Sequence, residues 1–486
     1  MWTRAAFLRR AAGGGVGLLA LGGSGWLVDR LAGLGGAPAA SESGRRVHVF
    51  RSRRDLRPPA VEVVTPARGT APGYLFLAPS SGPGQRGVLM LDDAGEVVWF
   101  HPTAPLTAMN FRAAVYRGEP VLTWWEGKSH DGVGHGEYVV VDAAYRELAR
   151  FGAAGGLPAD LHELVLTPSG TALVTATELR TLDLRRVGGP RRWPVIGSVV
   201  QELELPHGRL LFEWRSLDHV PLEESHQTIG PRFDYFHANS VALDADGDLL
   251  VSARNTWTVY KLDRGTGAVR WRLGGKRSDF ALGDGTFFAW QHDARSHDDG
   301  RTISLFDDGA DSESQSSALF LRLDTRRMVA TLARRYAHRP PLKADKTGST
   351  QLLANGNVLV GWGNEPWLTE FAPDGGVRFD ARLPRGGQTY RALRFPWAGR
   401  PAEPPALAAV GGAGAPVLYA SWNGATGVRA WRLLAGPGPD RLEEVETRPR
   451  TGFESELRPG RGSGHAAAVA LGAGGEPLGR SAAVAF

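Results

Sequence analysis

The chain has 486 residues, 42% of them hydrophobic, which is enough to bury a large core and allows two or three domains. Its net charge is only +5, and the basic residues, mostly arginines, are scattered among Asp and Glu, so the charge pattern indicates no nucleic-acid partner. It contains no cysteine, which excludes disulfides, cysteine-based zinc sites, thiolate catalysis and a lipoprotein anchor.

Residues 1–40 have the pattern of an export segment. Arg4, Arg9 and Arg10 precede an apolar run rich in Gly and Ala over residues 11–28, and residues 37–39 offer small side chains for cleavage. A cleaved signal peptide and an uncleaved helix that attaches the protein to a membrane both fit this pattern. Either interpretation predicts an extracytoplasmic protein, secreted or anchored by its N-terminus.

Residues 41–398 predict an all-β domain. Short strand-like runs recur, separated by turns of Gly, Asp, Asn and Pro, and no long amphipathic helix is indicated. Four such strands per unit, repeated every ~40–60 residues, are typical of β-propeller blades. We therefore expect a six-bladed β-propeller, with one or two large β-sandwiches as the alternative.

The stretch Phe236–Arg254 combines a hairpin with two chemical groups. Two apolar runs, 240–243 and 248–252, flank an Asp-Ala-Asp-Gly turn. His237 stands just before the first strand and Arg254 just after the second. Because a tight hairpin brings its ends together, we expect the imidazole and the guanidinium side by side.

The C-terminal region differs in composition. Residues 399–415 are rich in Pro, Ala and Gly and predict a linker. Residues 416–486 contain alternating strand patterns that predict a small β-sandwich resembling a fibronectin type III module. We expect this module to serve structure or partner contact, not catalysis.

Three histidines occupy one position in the repeat. His162, His237 and His292 each stand immediately before the first strand of a predicted blade. The innermost strands of a propeller line its central channel, so equivalent blade positions converge on the axis. We therefore expect the three imidazoles to meet near Arg254.

Such a cluster permits two kinds of chemistry. A three-histidine zinc site is possible from the residue types, but a fixed arginine charge beside a metal is unfavourable. An oxyanion fits better, because Arg254 offers a planar fork of donors and histidines can donate, accept or attack. Nothing in the residues demands a metal or a nucleotide cofactor.

The histidine motifs resemble those of a known family. Residues 160–163 (Asp-Leu-His-Glu), 236–241 (Phe-His-Ala-Asn-Ser-Val) and 291–293 (Gln-His-Asp) resemble the bacterial arylsulfotransferases (arylsulfate sulfotransferases) that do not use PAPS. The likeness extends over most of residues 60–400.

The resemblance implies a six-bladed propeller that transfers a sulfuryl group from an aryl sulfate donor to a phenol acceptor through a sulfated histidine. By motif, His292 is expected to be the nucleophile, and His162, His237 and Arg254 to hold the sulfuryl oxygens and assist the leaving phenol. Three further residues are expected to contact substrate: Asn239, Thr350 and Trp290, the last as an aromatic clamp.

Two other function classes stay open from the sequence. A non-catalytic extracytoplasmic propeller that binds a ligand or partner needs no nucleophile. A metal-dependent hydrolase or lactonase on the same scaffold needs a metal at the histidines.

Overall fold

The fold is built almost entirely from strands. The computed structural model describes residues 46–130, 132–411, 416–460 and 464–486, all within one compact unit. Apart from strands, these residues contain only a four-residue helix, α1 (Ser216–His219), and three 3₁₀ turns, Arg185–Val187, Leu222–Glu224 and Arg254–Thr256. The prediction of an all-β fold is confirmed.

The first 27 strands run from residue 62 to residue 395. In chain order they are β1 (Glu62–Thr65), β2 (Tyr74–Ser81), β3 (Gly87–Leu91), β4 (Val97–Pro102), β5 (Thr107–Tyr116), β6 (Glu119–His130), β7 (Val133–Val141), β8 (Glu147–Phe151), β9 (Ala159–Leu166), β10 (Thr171–Leu182), β11 (Trp193–Glu204), β12 (Arg209–Arg215), β13 (Phe233–Asp234), β14 (Ala238–Leu243), β15 (Leu249–Ala253), β16 (Thr258–Leu262), β17 (Val269–Gly274), β18 (Ala281–Leu282), β19 (His292–His297), β20 (Thr302–Asp307), β21 (Ser317–Asp324), β22 (Val329–Tyr336), β23 (Ser349–Leu352), β24 (Val358–Gly361), β25 (Trp367–Phe371), β26 (Val377–Arg382) and β27 (Gln388–Phe395).

Of these 27 strands, 24 fall into six antiparallel groups of four; β1, β13 and β18 pair at the edges, with β26, β11 and β22. Group I is β27-β2-β3-β4, group II β5-β6-β7-β8, group III β9-β10-β11-β12, group IV β14-β15-β16-β17, group V β19-β20-β21-β22 and group VI β23-β24-β25-β26. A single bridge, Gly136 to Ala159, joins groups II and III into one nine-stranded sheet that also includes β13. The predicted hairpin of residues 240–252 is present as β14 and β15, whose register pairs Val241 with Val251.

The first strands of the groups contact one another in a closed order. Strands β5, β9, β14, β19, β23 and β27 each contact the next, and β27 contacts β5. The hydrophobic core is divided accordingly, because each cluster lies between two consecutive groups. Representative pairs are Phe76 and Trp124 (I and II), Val140 and Val174 (II and III), Val200 and Val251 (III and IV), Leu250 and Leu305 (IV and V), Phe306 and Val360 (V and VI), and Leu359 and Leu89 (VI and I).

Distant parts of the chain complete the first and last groups. Strand β27 pairs antiparallel with β2, where Tyr74 lies opposite Phe395. Strand β1 pairs antiparallel with β26, where Glu62 lies opposite Arg382. Both ends of this region are therefore held by strands more than 300 residues away, which makes the arrangement of groups cooperative.

A buried ionic network joins four of the first strands. Glu163 of β9, fully buried, accepts hydrogen bonds from Arg391 of β27 (2.9 and 3.1 Å) and Arg295 of β19 (2.6 Å) and lies 3.3 Å from Arg112 of β5. Burial raises the pKa of Glu163, but the three guanidinium charges outweigh it and lower that pKa to about 2. Asp293 of β19 also pairs with Arg295, at 2.6 Å.

We expect Arg391→Met to lower the free energy of unfolding by about 3–5 kcal/mol, because it leaves Glu163 buried with fewer partners. The matched control is Arg382→Met, whose pair with Glu62 is equally short (2.9 Å) but half exposed, so its loss should cost about 0–1 kcal/mol. Urea unfolding followed by tryptophan fluorescence measures both. Equal shifts in the two variants would contradict a structural role for the network.

The remaining strands follow residue 405 and form two sheets. They are β28 (Ala406–Val410), β29 (Val417–Ser421), β30 (Ala430–Gly438), β31 (Arg441–Pro449), β32 (Glu454–Leu457), β33 (His465–Leu471), β34 (Pro477–Arg480) and β35 (Val484–Ala485). One sheet is β28-β29-β32 and the other β31-β30-β33-β34 with β35 paired to β33. Both contribute to one core cluster, in which Leu418 and Leu433 are fully buried.

The prediction of a linker over residues 399–415 needs correction. Residues 406–410 of this stretch form β28, which pairs along its length with β29. The Ala- and Gly-rich composition hid this strand, because pairing and burial against the C-terminal core override its weak intrinsic strand preference.

The predicted export segment, residues 1–40, lies outside the described residues. Within the described ranges, no helix has the length and apolar character needed to cross a membrane.

Candidate active site

A cavity of about 1270 Å³ opens where the first strands of the groups begin. His162 in β9, His237 just before β14, Arg254 just after β15 and His292 at the start of β19 all line it. The structure thus brings together the four residues that the sequence predicted to act on substrate, although they lie up to 130 positions apart in the chain.

Each of the three histidines is held by an aspartate. Nδ1 of His162 contacts Asp160, Nδ1 of His237 lies 2.5 Å from Asp234, and Nδ1 of His292 lies 2.6 Å from Asp308. We assign the proton of each pair to Nδ1, which donates to the carboxylate. Nε2 is therefore the ring nitrogen that remains for chemistry in each histidine.

The imidazoles of His162 and His237 are in direct contact. Their ring centroids are 4.8 Å apart and the rings meet edge to face. Gly132 lies beside them: a Cβ at that position would stand 3.2 Å from Cε1 of His237. Its φ of +80° also favours glycine, so this position in the β6–β7 hairpin both turns the chain and leaves room at the imidazole.

The hairpin places His237 beside Arg254 through its backbone. The amide of Arg254 donates to the carbonyl of His237 at 3.0 Å, one step beyond the last paired residues of β14 and β15. The Arg254 guanidinium lies over the ring of Trp290, 4.6 Å from its centroid, and donates to the carbonyl of Asp345 at 3.0 Å. These contacts fix the guanidinium at the cavity wall.

His292 is the most enclosed of the three histidines, with only 2% of its side chain exposed. Burial, and next the charge of Arg254, hold its pKa well below the ordinary value of 6.5. The backbone amide of Thr347 donates to Nε2 at 3.2 Å, which requires a lone pair there. His292 is therefore a neutral imidazole with an unprotonated Nε2 at the cavity.

The three residues predicted to bind substrate lie behind the cavity wall. Trp290 supports Arg254 from beneath. Asn239 is fully buried and donates from its amide to the carbonyl of Gln291 at 2.6 Å. Thr350 is buried in β23, and its backbone amide donates to Asp293 at 3.1 Å. None of the three is among the residues that line the cavity.

Sequence reasoning missed the aspartate partners. Asp160 and Asp234 precede their histidines by two and three residues, and that spacing was a usable signal. Asp308 is buried and reaches His292 because β19 pairs with β20, placing Phe306 opposite His292. Only the hairpin register reveals that partner.

Two further residues support the site and carried no sequence signal. Nζ of Lys343 donates to three successive carbonyls, those of Asp308 (2.7 Å), Gly309 (2.7 Å) and Ala310 (3.0 Å), and so holds the segment that presents Asp308. Tyr390 of β27 lines the cavity 5.6 Å from the His162 ring and donates to the carbonyl of Asn239 at 3.0 Å.

Across the described residues, no group of three or more His, Cys, Asp or Glu side chains is arranged to hold a metal ion.

A family model described as arylsulfotransferase (ASST) matches residues 112–383, more than half of the chain. The chain belongs to this family, and the resemblance seen in its motifs is confirmed. The family indicates aryl sulfotransferase activity in general, with an aryl sulfate as donor and a phenol as acceptor.

A search of curated proteins gives no match. Among solved structures, the chain is similar to a protein of unknown function from Bacteroides caccae, with 14% identity, 66% of this chain and 98% of the other covered, and a TM-score of 0.42. It is also similar to a protein of unknown function from Dyadobacter fermentans, with 11% identity, 68% and 94% covered, and a TM-score of 0.39. At these TM-scores the similarities carry no functional argument.

We expect the imidazole of His292 to stay neutral as the pH falls from about 8 to about 5, a range in which an ordinary histidine becomes charged. In Arg254→Gln the pKa of His292 should rise, because a neighbouring positive charge is removed. Nitrogen NMR of the imidazoles measures the charge state of His292 in the wild type and its pKa in Arg254→Gln. The signal is assigned by its absence from the spectrum of His292→Gln. Arg322→Gln, an exposed change outside the cavity, is the control and should leave the pKa unchanged. A charged His292 near pH 6 would contradict this prediction.

Proposed function

We propose that the protein transfers a sulfuryl group from an aryl sulfate to a phenolic acceptor through a covalent sulfohistidine at His292, in ping-pong order. The observation that carries this proposal is the neutral, enclosed imidazole of His292, whose unprotonated Nε2 lines the same cavity as Arg254, His162 and His237. Membership of the arylsulfotransferase family supports the reaction class.

In the first half-reaction, Nε2 of His292 gives up the hydrogen bond from the Thr347 amide and attacks the sulfur of the donor. The N–S bond forms as the S–O bond to the aryl group breaks. By analogy with phosphoryl transfer, positioning and charge stabilisation dominate such a step. Arg254 stabilises the sulfuryl oxygens, while a protonated His162 or His237 gives its Nε2 proton to the departing phenolate.

In the second half-reaction, an acceptor phenol replaces the released phenol. Its hydroxyl proton passes to the histidine that had given one up, and its oxygen attacks the sulfur of the sulfohistidine. The new O–S bond forms as the N–S bond breaks, which returns His292 to its neutral form. Burial raises the pKa of Asp308 well above its ordinary value, but the positive charge of the sulfated His292 ring favours the ionised carboxylate, which in turn stabilises that charge.

We also propose that the six strand groups form a six-bladed β-propeller. Support comes from the closed contact order of the first strands, from the core clusters that lie between consecutive groups, and from the completion of group I by β27. In this arrangement the cavity is the mouth of the central channel. The two C-terminal sheets, which share one core and include β28, support a small β-sandwich over residues 406–486.

The sequence pattern of residues 1–40 supports a further proposal, that the catalytic region works outside the cytoplasm, either released by cleavage or attached to the membrane by this segment.

We expect protein incubated with 4-nitrophenyl sulfate, without PAPS, to carry a sulfuryl group on His292 and to release 4-nitrophenol in a burst. Mass spectrometry of the His292 peptide and absorbance report the two events. His292→Gln should abolish both. His297→Gln changes a histidine of the same strand that does not line the cavity, and should abolish neither. A metal-dependent hydrolase would instead lose activity with a chelator and leave no adduct.

We expect Asp308→Asn to lower kcat by about 10²–10⁴-fold, because the amide no longer fixes the proton on Nδ1 or stabilises the charged ring. The control is Asp380→Asn, which changes a carboxylate paired with a histidine outside the cavity, His338 at 3.4 Å. Single-turnover release of 4-nitrophenol measures the effect, and circular dichroism checks folding. An unchanged rate in Asp308→Asn would contradict the proposed role of the pair.

A further inference from the structure

Three basic side chains at the cavity have no ion-pair partner among the described residues. Arg86, Lys128 and Lys346 line the cavity and are exposed. Elsewhere, exposed arginines commonly sit against carboxylates, as Arg150 and Arg185 do. An unpaired cation is unremarkable on an open surface, but three that face one cavity form a shared positive field.

The three cations lie on consecutive groups. Arg86 stands just before β3, and its guanidinium donates to the hydroxyl of Thr107 at 3.4 Å. Thr107 lies opposite Gly127, the residue before Lys128 in β6, so Arg86 and Lys128 share one side of the cavity. They belong to groups I and II.

Lys346 extends this arc toward the reactive nitrogen. It precedes β23 of group VI, which adjoins group I in the closed contact order. The next residue, Thr347, donates its amide to Nε2 of His292. Arg86, Lys128 and Lys346 therefore form an arc along the cavity. It ends at Lys346, the neighbour in sequence of Thr347, whose amide contacts the proposed nucleophile His292.

Among the described lining residues, basic side chains outnumber carboxylates. The described lining residues include five Lys or Arg side chains but only two carboxylates, Asp234 and Asp345. Asp234 is already bonded to His237. Arg254 suffices in the proposed reaction to stabilise the sulfuryl oxygens, so the arc is in excess of what that step needs.

The cavity, at about 1270 Å³, also exceeds the ordinary size range of small-molecule sites, so it has room for more than one aryl sulfate ring.

We propose that Arg86, Lys128 and Lys346 form a subsite for a second anionic group, and that the substrates are phenols carrying a carboxylate, a phosphate or a further sulfate in addition to the reacting oxygen. This inference rests on the proposed function. Donor and acceptor occupy the same cavity in turn, so the subsite selects both. Its effect is modest and depends on ionic strength, because the three side chains are exposed to solvent.

The test compares three acceptors that differ in charge but share a para-alkyl phenol: 4-hydroxyphenylacetate, 4-(2-hydroxyethyl)phenol and tyramine, with 4-nitrophenyl sulfate as donor. At low salt we expect kcat/KM to be about tenfold higher for the anion than for the neutral phenol, and lower still for the cation. The preference should fade at about 0.5 M salt. Acids with one to four methylenes between ring and carboxylate establish the reach of the subsite.

The decisive variant is Arg86→Gln/Lys128→Gln/Lys346→Gln. In it, the ratio of kcat/KM for the anionic acceptor to kcat/KM for the neutral acceptor should fall to about one. The matched control, Arg322→Gln/Arg326→Gln/Arg327→Gln, removes the same charge from exposed positions on β21 and the β21–β22 turn that do not line the cavity, and should keep the ratio. Binding of the acids to the sulfate-free enzyme, followed by calorimetry, gives an independent readout.

The outcomes separate the two proposals. A wild-type enzyme that transfers sulfate but prefers no acid of any length overturns the subsite and leaves the function standing. A preference that survives in the triple variant also overturns the subsite. If 4-nitrophenyl sulfate gives neither transfer nor an adduct on His292, the proposed function fails and the subsite, as a substrate site, fails with it.

Discussion

The pairing of Glu163 with arginines from three other strands is the interaction on which the position of the site depends. His162, His292 and Tyr390 line the cavity, and the next residue in each strand, Glu163, Asp293 or Arg391, belongs to the ionic network. A buried ion pair gains little free energy over an apolar pair of similar volume, but displacing one partner is costly. The network therefore fixes β9, β19 and β27 relative to one another directly behind the reacting groups.

In all three His–Asp pairs, Nδ1 of the histidine contacts an aspartate, but the pairs differ in how deeply they are buried. This difference in burial accounts for the different roles proposed for the three histidines. His292 is the most enclosed, and its burial, together with the charge of Arg254, keeps it neutral, as the proposed nucleophile must be. His237 has 13% of its side chain exposed and contacts His162 edge to face, so these two can exchange protons with an incoming or departing phenol. In the proposed mechanism, the same pair of residue types supplies both a nucleophile and an acid.

Local pattern in the sequence predicted the all-β fold and the β14–β15 hairpin that joins His237 to Arg254. It did not place all the histidines correctly relative to the strands, since His162 lies within β9 and His292 is the first residue of β19. What it missed depends on contacts between distant segments. Tyr390 reaches the cavity only because β27 pairs with β2, and Asp308 reaches His292 only through the β19–β20 register. Trp290 carries the residue type of a substrate clamp, yet its contact with Arg254 makes it a support for the guanidinium. Residue type and spacing do not reveal that Trp290 contacts Arg254 or that Asp308 contacts His292. The pairing of distant strands in the structure does.

Charge has different effects at the two ends of the cavity. At the rim, Arg86 and Lys128 are exposed to solvent, so their charges are screened and attract anions only weakly over several ångströms. They favour the arrival of anionic substrates without binding them tightly. At the base, burial lowers the pKa of Arg254 and removes most of the screening, so one guanidinium there acts far more strongly on a nearby oxyanion. The proposed two-step transfer needs both properties, because the first product must leave before the acceptor enters. A strong cation confined to the reacting centre, with weak ones along the approach, meets that requirement.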